Sequence, residues 1–168
     1  MSYKLPDQPT LISFSGGRTS GYMLHEILSA NGSLPEHCKV VFCNTGREDD
    51  DTLDFVQACS NRWNVHITWL EYRRVDGKVA FETVSHNSAS RNGEPFQALI
   101  DSKHGYLPNQ QARYCTEELK VRTIKRYLVS QGWTSWINTV GIRADEGHRV
   151  RDSKDNRWRN WYPLADAM

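Results

Sequence analysis

The stretch TLISFSGGRTSGYML, Thr10 to Leu24, sets two adjacent glycines between a short apolar run and a run with helical spacing, with hydroxyls on both sides. Leu11 to Phe14 is bounded by turn residues and reads as a strand; Tyr22, Met23, Ile27 and Leu28 recur at near-helical intervals and predict a helix over Thr19 to Ala30. Gly16 and Gly17 free the backbone for a tight or left-handed turn and for close approach to a ligand. A helix start presents unpaired N–H groups and the positive end of its dipole, and here Ser15, Thr19 and Ser20 add hydroxyls. The segment Ser15, Gly16, Gly17, Arg18, Thr19 and Ser20 therefore reads as a site for phosphate, pyrophosphate or sulfate. It is neither GxxxxGK[ST] nor GxGxxG, and the plain alternative is a strand-to-helix turn capped by serine and threonine.

Outward from this loop the chain alternates. Asn31, Gly32 and Pro35 stop the helix, and Lys39 to Cys43 (KVVFC) is a second strand of the continuous apolar kind found inside parallel sheets. Asp49 to Trp63 reads as a helix with Asp49, Asp50 and Asp51 in its first turn, a solvated helix start. Val65 to Tyr72 is a third strand. Residues 73–112 lose periodicity and read as a long irregular connection, with one helical turn at Phe96 to Ile100. Thr116 to Gln131 is a helix ending at Gly132, Trp136 to Val140 a fourth strand, and Trp158 to Leu164 a last element. Strands alternating with helices predict an α/β domain over residues 1–168: three αβα layers around a mainly parallel sheet. Ligands of such sheets bind beyond the carboxyl ends of the strands, where Ser15 to Ser20, Asn44 to Glu48 and Gly141 to Arg149 fall.

Composition narrows the classes. The 168 residues suffice for one core but not for two large domains. With 21 Lys plus Arg against 20 Asp plus Glu, the net charge of +1 asks for neither nucleic acid nor an anionic membrane as partner. No apolar run nears the roughly 20 residues that span a bilayer, and MSYKLPDQPT lacks a secretory apolar stretch, so a cytoplasmic protein is expected. Cys38, Cys43, Cys59 and Cys115 form no CxxC pair and no zinc spacing, which predicts reduced, mostly buried thiols and neither zinc nor an iron-sulfur cluster.

SFSGGRTS resembles the SGGxDS-type loop of the PP-loop ATP pyrophosphatases, and more closely its variant in the phosphoadenosine phosphosulfate (PAPS) reductase-like branch. FCNTGREDDDTLDF (Phe42 to Phe55), RYCTEELKV (Arg113 to Val121) and GIRADEGHR (Gly141 to Arg149) follow in that family's order. The resemblance implies an adenine-nucleotide α-hydrolase-like (Rossmann-like) fold, a phosphate or sulfate end held at the first loop, and adenosine beside the end of the second strand. ATP or PAPS is the implied ligand. Thr52 matches the family's threonine, whereas Thr19 stands where ATP-cleaving members carry Asp, and no cysteine follows Cys115 to serve as the reductases' tail thiol.

The other clusters carry two readings each. Asn44, Thr45, Gly46, Arg47 and Glu48 offer groups for ribose, adenine or a magnesium shell, or make an ordinary turn. Arg113 and Lys120 face the anion in the sharper reading, with Lys125 and Arg126 a solvated face. Cys115 between them is a nucleophilic thiolate or a small buried residue. Beyond Gly141, Arg143 and Arg149 can neutralise a polyanion while Asp145 or Glu146 orients an arginine or holds magnesium; a salt-bridged surface loop is the alternative. His148 has the best location of the histidines for acid-base work, but the bystander reading is the favoured one. Trp158, Trp161 and Tyr162, interleaved with Arg157 and Arg159, suit single-stranded nucleic acid or an edge strand over the core, and the balanced charge favours the strand. Three functions follow. The first is ATP cleavage to AMP and pyrophosphate that adenylates an acceptor, with Arg143, Arg149 and Lys120 as catalytic cations. The second is sulfonucleotide chemistry on PAPS with a thiol donor supplied in trans, and the third a silent nucleotide-binding module in a protein or nucleic-acid complex.

Overall fold

The computed structural model describes residues 3–109 and 111–167. Strand β1 (Thr10–Ser13) leads into helix α1 (Arg18–Asn31), then β2 (Cys38–Asn44), α2 (Asp50–Trp63), β3 (Ile67–Val75), β4 (Lys78–Val84) and α3 (Glu94–Ser102). A helical run follows in three parts, α4 (Tyr114–Thr116), a π-helical segment (Glu117–Arg122) and α5 (Thr123–Ser130). After β5 (Trp136–Thr139) come a 3₁₀ segment (Ala144–Arg149), β6 (Trp158–Trp161) and α6 (Pro163–Asp166). The sheet has six strands in the order β4-β3-β2-β1-β5-β6. β1 pairs parallel with β2 and β5, β5 parallel with β6, and β3 antiparallel with β4, so the architecture is α/β with a mainly parallel sheet.

Two compact units are distinguished. The first comprises residues 1–42, 55–67 and 133–168. Its centre is β1, whose Thr10 to Ser13 register against Cys38 to Val41, while Thr10 to Ile12 register against Ile137 to Thr139. Ser20, Met23, Leu24 and Ile27 form the buried stripe of α1 at the spacing one helix face requires. β6 is the edge strand expected over WRNWYPL, its Trp158 stacked on Trp136 at 5.2 Å and 15°. A side-chain ladder crosses the strands of this unit: Ser13 Oγ donates to Asn138 Oδ1 (2.9 Å), Asn138 Nδ2 to Asn160 Oδ1 (3.0 Å), and Asn160 Nδ2 to the Arg151 carbonyl (3.0 Å).

The second unit comprises residues 43–54 and 68–132. Here the structure departs from the sequence reading. Residues 73–112 are not an irregular connection throughout: β3 runs on to Val75, turns through Asp76 and Gly77 at φ 49° and 73°, and returns as β4, with Val75 opposite Lys78. This is a two-residue hairpin, and the Asp-Gly pair that makes it is its usual signal. The single turn expected at Phe96 to Ile100 is the nine-residue α3, entered through Gly93 at φ 85° with Pro95 in its first turn. Tyr72, Leu99 and Leu119 form a buried cluster with Phe96, Tyr114 and Cys115 packed against it. Arg126 also departs from expectation, since it is half-buried and its Nη1 is enclosed without a hydrogen-bond partner rather than on a solvated face.

Three of the four free thiols, Cys38, Cys43 and Cys59, are buried, and Cys115 is partly exposed. Burial pushes the Cys43 thiol up to about 12 and the Cys38 thiol up to about 11, and raises that of Cys59. The three are therefore protonated and unreactive near neutrality. Iodoacetamide at neutral pH is expected to alkylate Cys115 in the native protein and all four cysteines after denaturation; mass spectrometry finding fast native labelling of Cys43 would contradict its enclosure. Leu24, fully buried on α1, gives the corresponding test of the first unit: Leu24→Ala should lower the unfolding free energy by about 3 kcal/mol in a denaturant titration, and a loss below about 1 kcal/mol would mean that the helix is not packed as described.

Candidate functional site

In the first unit the chain leaves β1 through the buried Phe14, whose N–H donates to the Val41 carbonyl (2.9 Å), and turns at Gly16, φ 78°. Gly17 is the N-cap of α1, with no side chain to offer and no acidic residue in the first turn. The hydroxyls do not supply the cap either. Ser20 Oγ accepts the Ser15 N–H (3.2 Å), donates to the Gly17 carbonyl (2.9 Å) and lies 3.0 Å from Ser15 Oγ. Thus Ser20, 3 % exposed, braces the loop from inside. Ser15, Gly17 and Arg18 are exposed and Thr19 half-exposed, and the helix start carries no acidic residue beside its first-turn amides.

Gly141 follows β5 and comes close to the start of α1: a Cβ there would lie 3.4 Å from the Ser20 Cα. The 3₁₀ segment beyond it carries the charges. Arg143 forks onto Asp145 with Nε to Oδ1 at 2.9 Å and Nη2 to Oδ2 at 2.6 Å, and Arg149 Nη1 meets Glu146 Oε1 at 2.5 Å. Hydrogen bonding from Arg143 holds the Asp145 carboxyl below its usual range, that from Arg149 does the same for Glu146, and the Asp145 bond raises Arg143. Both arginines are exposed and both are partnered, so an anion reaching them shares or displaces a carboxylate. His148 is exposed.

In the second unit, β2 ends at the buried Asn44, and its amide is fully engaged. Nδ2 donates to Glu71 Oε1 (2.6 Å) and to the Ser90 carbonyl (2.8 Å), while Oδ1 accepts the Gly46 N–H (3.0 Å). Glu48 accepts the Thr45 N–H (2.9 Å) and the Thr45 hydroxyl (2.9 Å), closing the turn. Gly46, φ 77°, would set a Cβ 3.0 Å from the Gly93 backbone, and a Cβ on Gly93 would meet Arg47 Nε at 2.4 Å. Close approach of the Gly93 backbone constrains Gly46, the Arg47 side chain fills the space where a Gly93 Cβ would stand, and both positions have positive φ. Glu71 and Ser90 had been read only as parts of a strand and an irregular segment. The signal for Glu71 is a carboxylate set between Leu70 and Tyr72 in a strand rich in strand formers.

Also in this unit, Arg113 is exposed just before α4 and Lys120 is half-buried on the π-helical segment. Neither forms an ion pair among the described residues, in contrast to Arg122, which meets Glu117 and Glu118. π-turns recur at functional sites because the extra residue re-aims side chains. Cys115 lies against the apolar cluster yet stays partly exposed.

A groove of about 840 Å³ runs along β6, lined by Lys4, Ile137, Asp152, Trp158, Arg159 and Trp161 among others, and includes no residue of the Ser15 to Ser20 loop. Among the described residues no group of three or more His, Cys, Asp or Glu side chains is placed to hold a metal, and no helix is long and apolar enough to cross a membrane. Glu48, Asp145 and Glu146, the carboxylates expected for magnesium, are engaged by Thr45, Arg143 and Arg149.

The phosphoadenosine phosphosulfate reductase domain model matches residues 9–163. An uncharacterised nin-region protein of Escherichia phage lambda is 28% identical over 158 residues, covering 88% of this chain and 52% of that protein. An uncharacterised protein of Methanocaldococcus jannaschii is 26% identical, covering 96% and 28%, and an uncharacterised 37.8 kDa protein of Escherichia phage 186 is 25% identical, covering 81% and 48%. The chain thus spans about half the length, or less, of these curated relatives. In fold it is similar to the PAPS reductase of Candida auris, solved as a phosphate complex, with a TM-score of 0.52, 16% identity, and coverage of 96% of this chain and 66% of that one. Because the family match runs from the residue before β1 into the start of α6 and takes in both polar loops of the first unit, the chain belongs to the phosphoadenosine phosphosulfate reductase domain family.

Proposed function

We propose that this chain binds an adenine nucleotide, holds its anionic end on the amides of Gly16 to Ser20, and cleaves ATP between the α and β phosphates to adenylate an acceptor. The observation that carries the reading is the uncapped start of α1: a 14-residue helix with a glycine N-cap, no capping side chain and no acid in its first turn, entered through a left-handed glycine. That arrangement leaves donors and the positive helix end for a phosphate. The acceptor oxygen attacks the α-phosphorus, the bond from that phosphorus to the bridging oxygen breaks, and pyrophosphate leaves with the electron pair. Arg143 and Arg149, freed from Asp145 and Glu146, and Lys120 supply the cations that stabilise the departing charge. Magnesium enters as part of the nucleotide substrate. Asn44, Thr45, Gly46, Glu48 and Arg113 are assigned to the nucleotide on the family resemblance, Asn44 through the backbone it shapes, since its own amide is occupied.

A second reading, PAPS as the ligand, is supported by the family match. A thiolate attacks the sulfur, the sulfur–oxygen bond to the nucleotide breaks, and a second thiol releases sulfite while a disulfide forms. With Cys38, Cys43 and Cys59 buried, Cys115 has no accessible second thiol beside it in this chain, so this reading takes its thiol donor from a partner.

Gly17→Asp separates fold from binding. The position has φ −95° and its Cβ would meet only Ser15 Oγ at 3.6 Å, so aspartate fits and caps the helix. The variant should melt no lower than the native protein, yet bind ATP at least about tenfold more weakly in calorimetry, because its carboxylate stands where phosphate binds. Unchanged affinity would remove the loop from the site. Pyrophosphate released from ATP in the presence of acceptor supports the first reading; sulfite released from PAPS with thioredoxin supports the second; tight binding with neither product supports a silent module.

A further inference from the structure

Glu71 is a charged side chain that the proposed chemistry does not use, and it is the most enclosed one in the chain, at 0% exposure in the middle of β3. Four donors converge on it. Oε1 accepts Asn44 Nδ2 (2.6 Å) and the Ser90 N–H (2.7 Å); Oε2 accepts the Ser90 hydroxyl (2.8 Å) and Arg73 Nη2 (2.5 Å). Both lone pairs of each oxygen are thereby occupied, which leaves the carboxylate no acceptor for a ligand. Arg73 is itself anchored on Glu82 of β4 through Nε at 2.7 Å.

The groups that Glu71 holds belong to two segments. One is the carboxyl end of β2, where Asn44 in turn sets the Gly46 N–H. The other is the segment 85–93, which is ordered by its own contacts: Ser85 and Ser88 bond reciprocally, and Arg91 donates to the Ala89 and His86 carbonyls and to Asp50 Oδ1. Its end, Gly93, lies against Gly46 and under Arg47. Within this unit the carboxylate is the common acceptor that fixes a strand end and a loop against each other at the place where parallel sheets bind ligands.

We propose that Glu71 is a positioning residue: it touches no ligand, and by holding Asn44 and Ser90 it sets the backbone at residues 44–46 and 90–93 that receives the nucleoside part of the nucleotide. The inference rests on the reading of the chain as an adenine-nucleotide binder. It requires a carboxylate and not merely a polar group, since glutamine presents an N–H₂ toward two of the four donors whichever way its amide turns.

The test is calorimetric titration of the native protein, Glu71→Gln and Ser90→Ala with ATP and, separately, with inorganic pyrophosphate, alongside thermal melting. Expected is an ATP affinity about tenfold lower in Glu71→Gln and about threefold lower in Ser90→Ala, the losses that disrupted hydrogen bonds to a charged group bring. Pyrophosphate, which has no nucleoside, should bind all three proteins equally. A merely structural role would weaken both ligands together, and that result overturns the proposal, as does ATP affinity unchanged in a folded Glu71→Gln. Should Glu71→Gln fail to fold, Ser90→Ala decides alone, unchanged ATP affinity counting against the proposal. If the native protein does not bind ATP, the ATP reading fails and takes this one with it; if it binds ATP and the variants bind it as well, this one alone fails.

Discussion

The chain has four residues, Phe14 to Gly17, in which to leave β1 and enter α1. β1 is hydrogen-bonded on both sides, so its end cannot yield, and Phe14 is tied to the Val41 carbonyl and stacked on Phe55 at 6.4 Å. Helix α1 must also lie close to that ring: a Cβ on Gly21 would meet Phe55 Cζ at 2.9 Å. With both ends fixed, the turn needs a left-handed residue, which Gly16 supplies, and an inward brace, which the Ser20 hydroxyl supplies. The consequence is a division of labour. Side chains hold the loop from within, and the amides that they leave unpaired point the helix's positive end at whatever anion arrives.

Cations in this protein come in two conditions, and the difference bears on how an anion is held. Arg143 and Arg149 sit in exposed pairs with Asp145 and Glu146, and exposed pairs contribute at most about 1 kcal/mol. A phosphate bearing more than one charge can therefore exchange for either carboxylate without loss of the fold. Lys120 and Arg113 have no such partner among the described residues, and Lys120 stands on a π-helical segment that shifts its direction by about one residue's rotation.

The sequence made most of the parallel core legible, for a physical reason: Leu11 to Phe14 and Lys39 to Cys43 are short, mostly apolar runs ended by polar turns, Trp136 to Val140 runs into Gly141, and α1 and α2 show a helical stripe. The hairpin of β3 and β4 was missed because the charged run Arg73, Arg74 and Asp76 outweighed the Asp76-Gly77 turn signal, although β4, as an edge strand, has little reason to be apolar. The π-helical segment leaves no pattern at all, since its sequence continues the helical stripe on either side. Of the site, the glycine loop and the charged segment after β5 were legible as positions. Which of their groups bond within the protein was not legible: residue type alone does not say that the Ser20 hydroxyl and the Asn44 amide are engaged inside it.

Glu71 explains why that distinction matters. Removing a carboxylate from water is expensive, and a buried ionic cluster is often no more stable than apolar side chains of similar volume. Four donors within 2.8 Å offset the desolvation but gain little beyond it. A leucine at this place in β3 would suit the buried neighbours Trp69, Leu70 and Tyr72 equally well as far as burial goes. What leucine lacks is direction, because only an acceptor with two oxygens can fix Asn44 from one side and Ser90 from the other. The carboxylate is thus better understood through what it orients than through stability, and its saturation makes it a rigid reference for the loop around it.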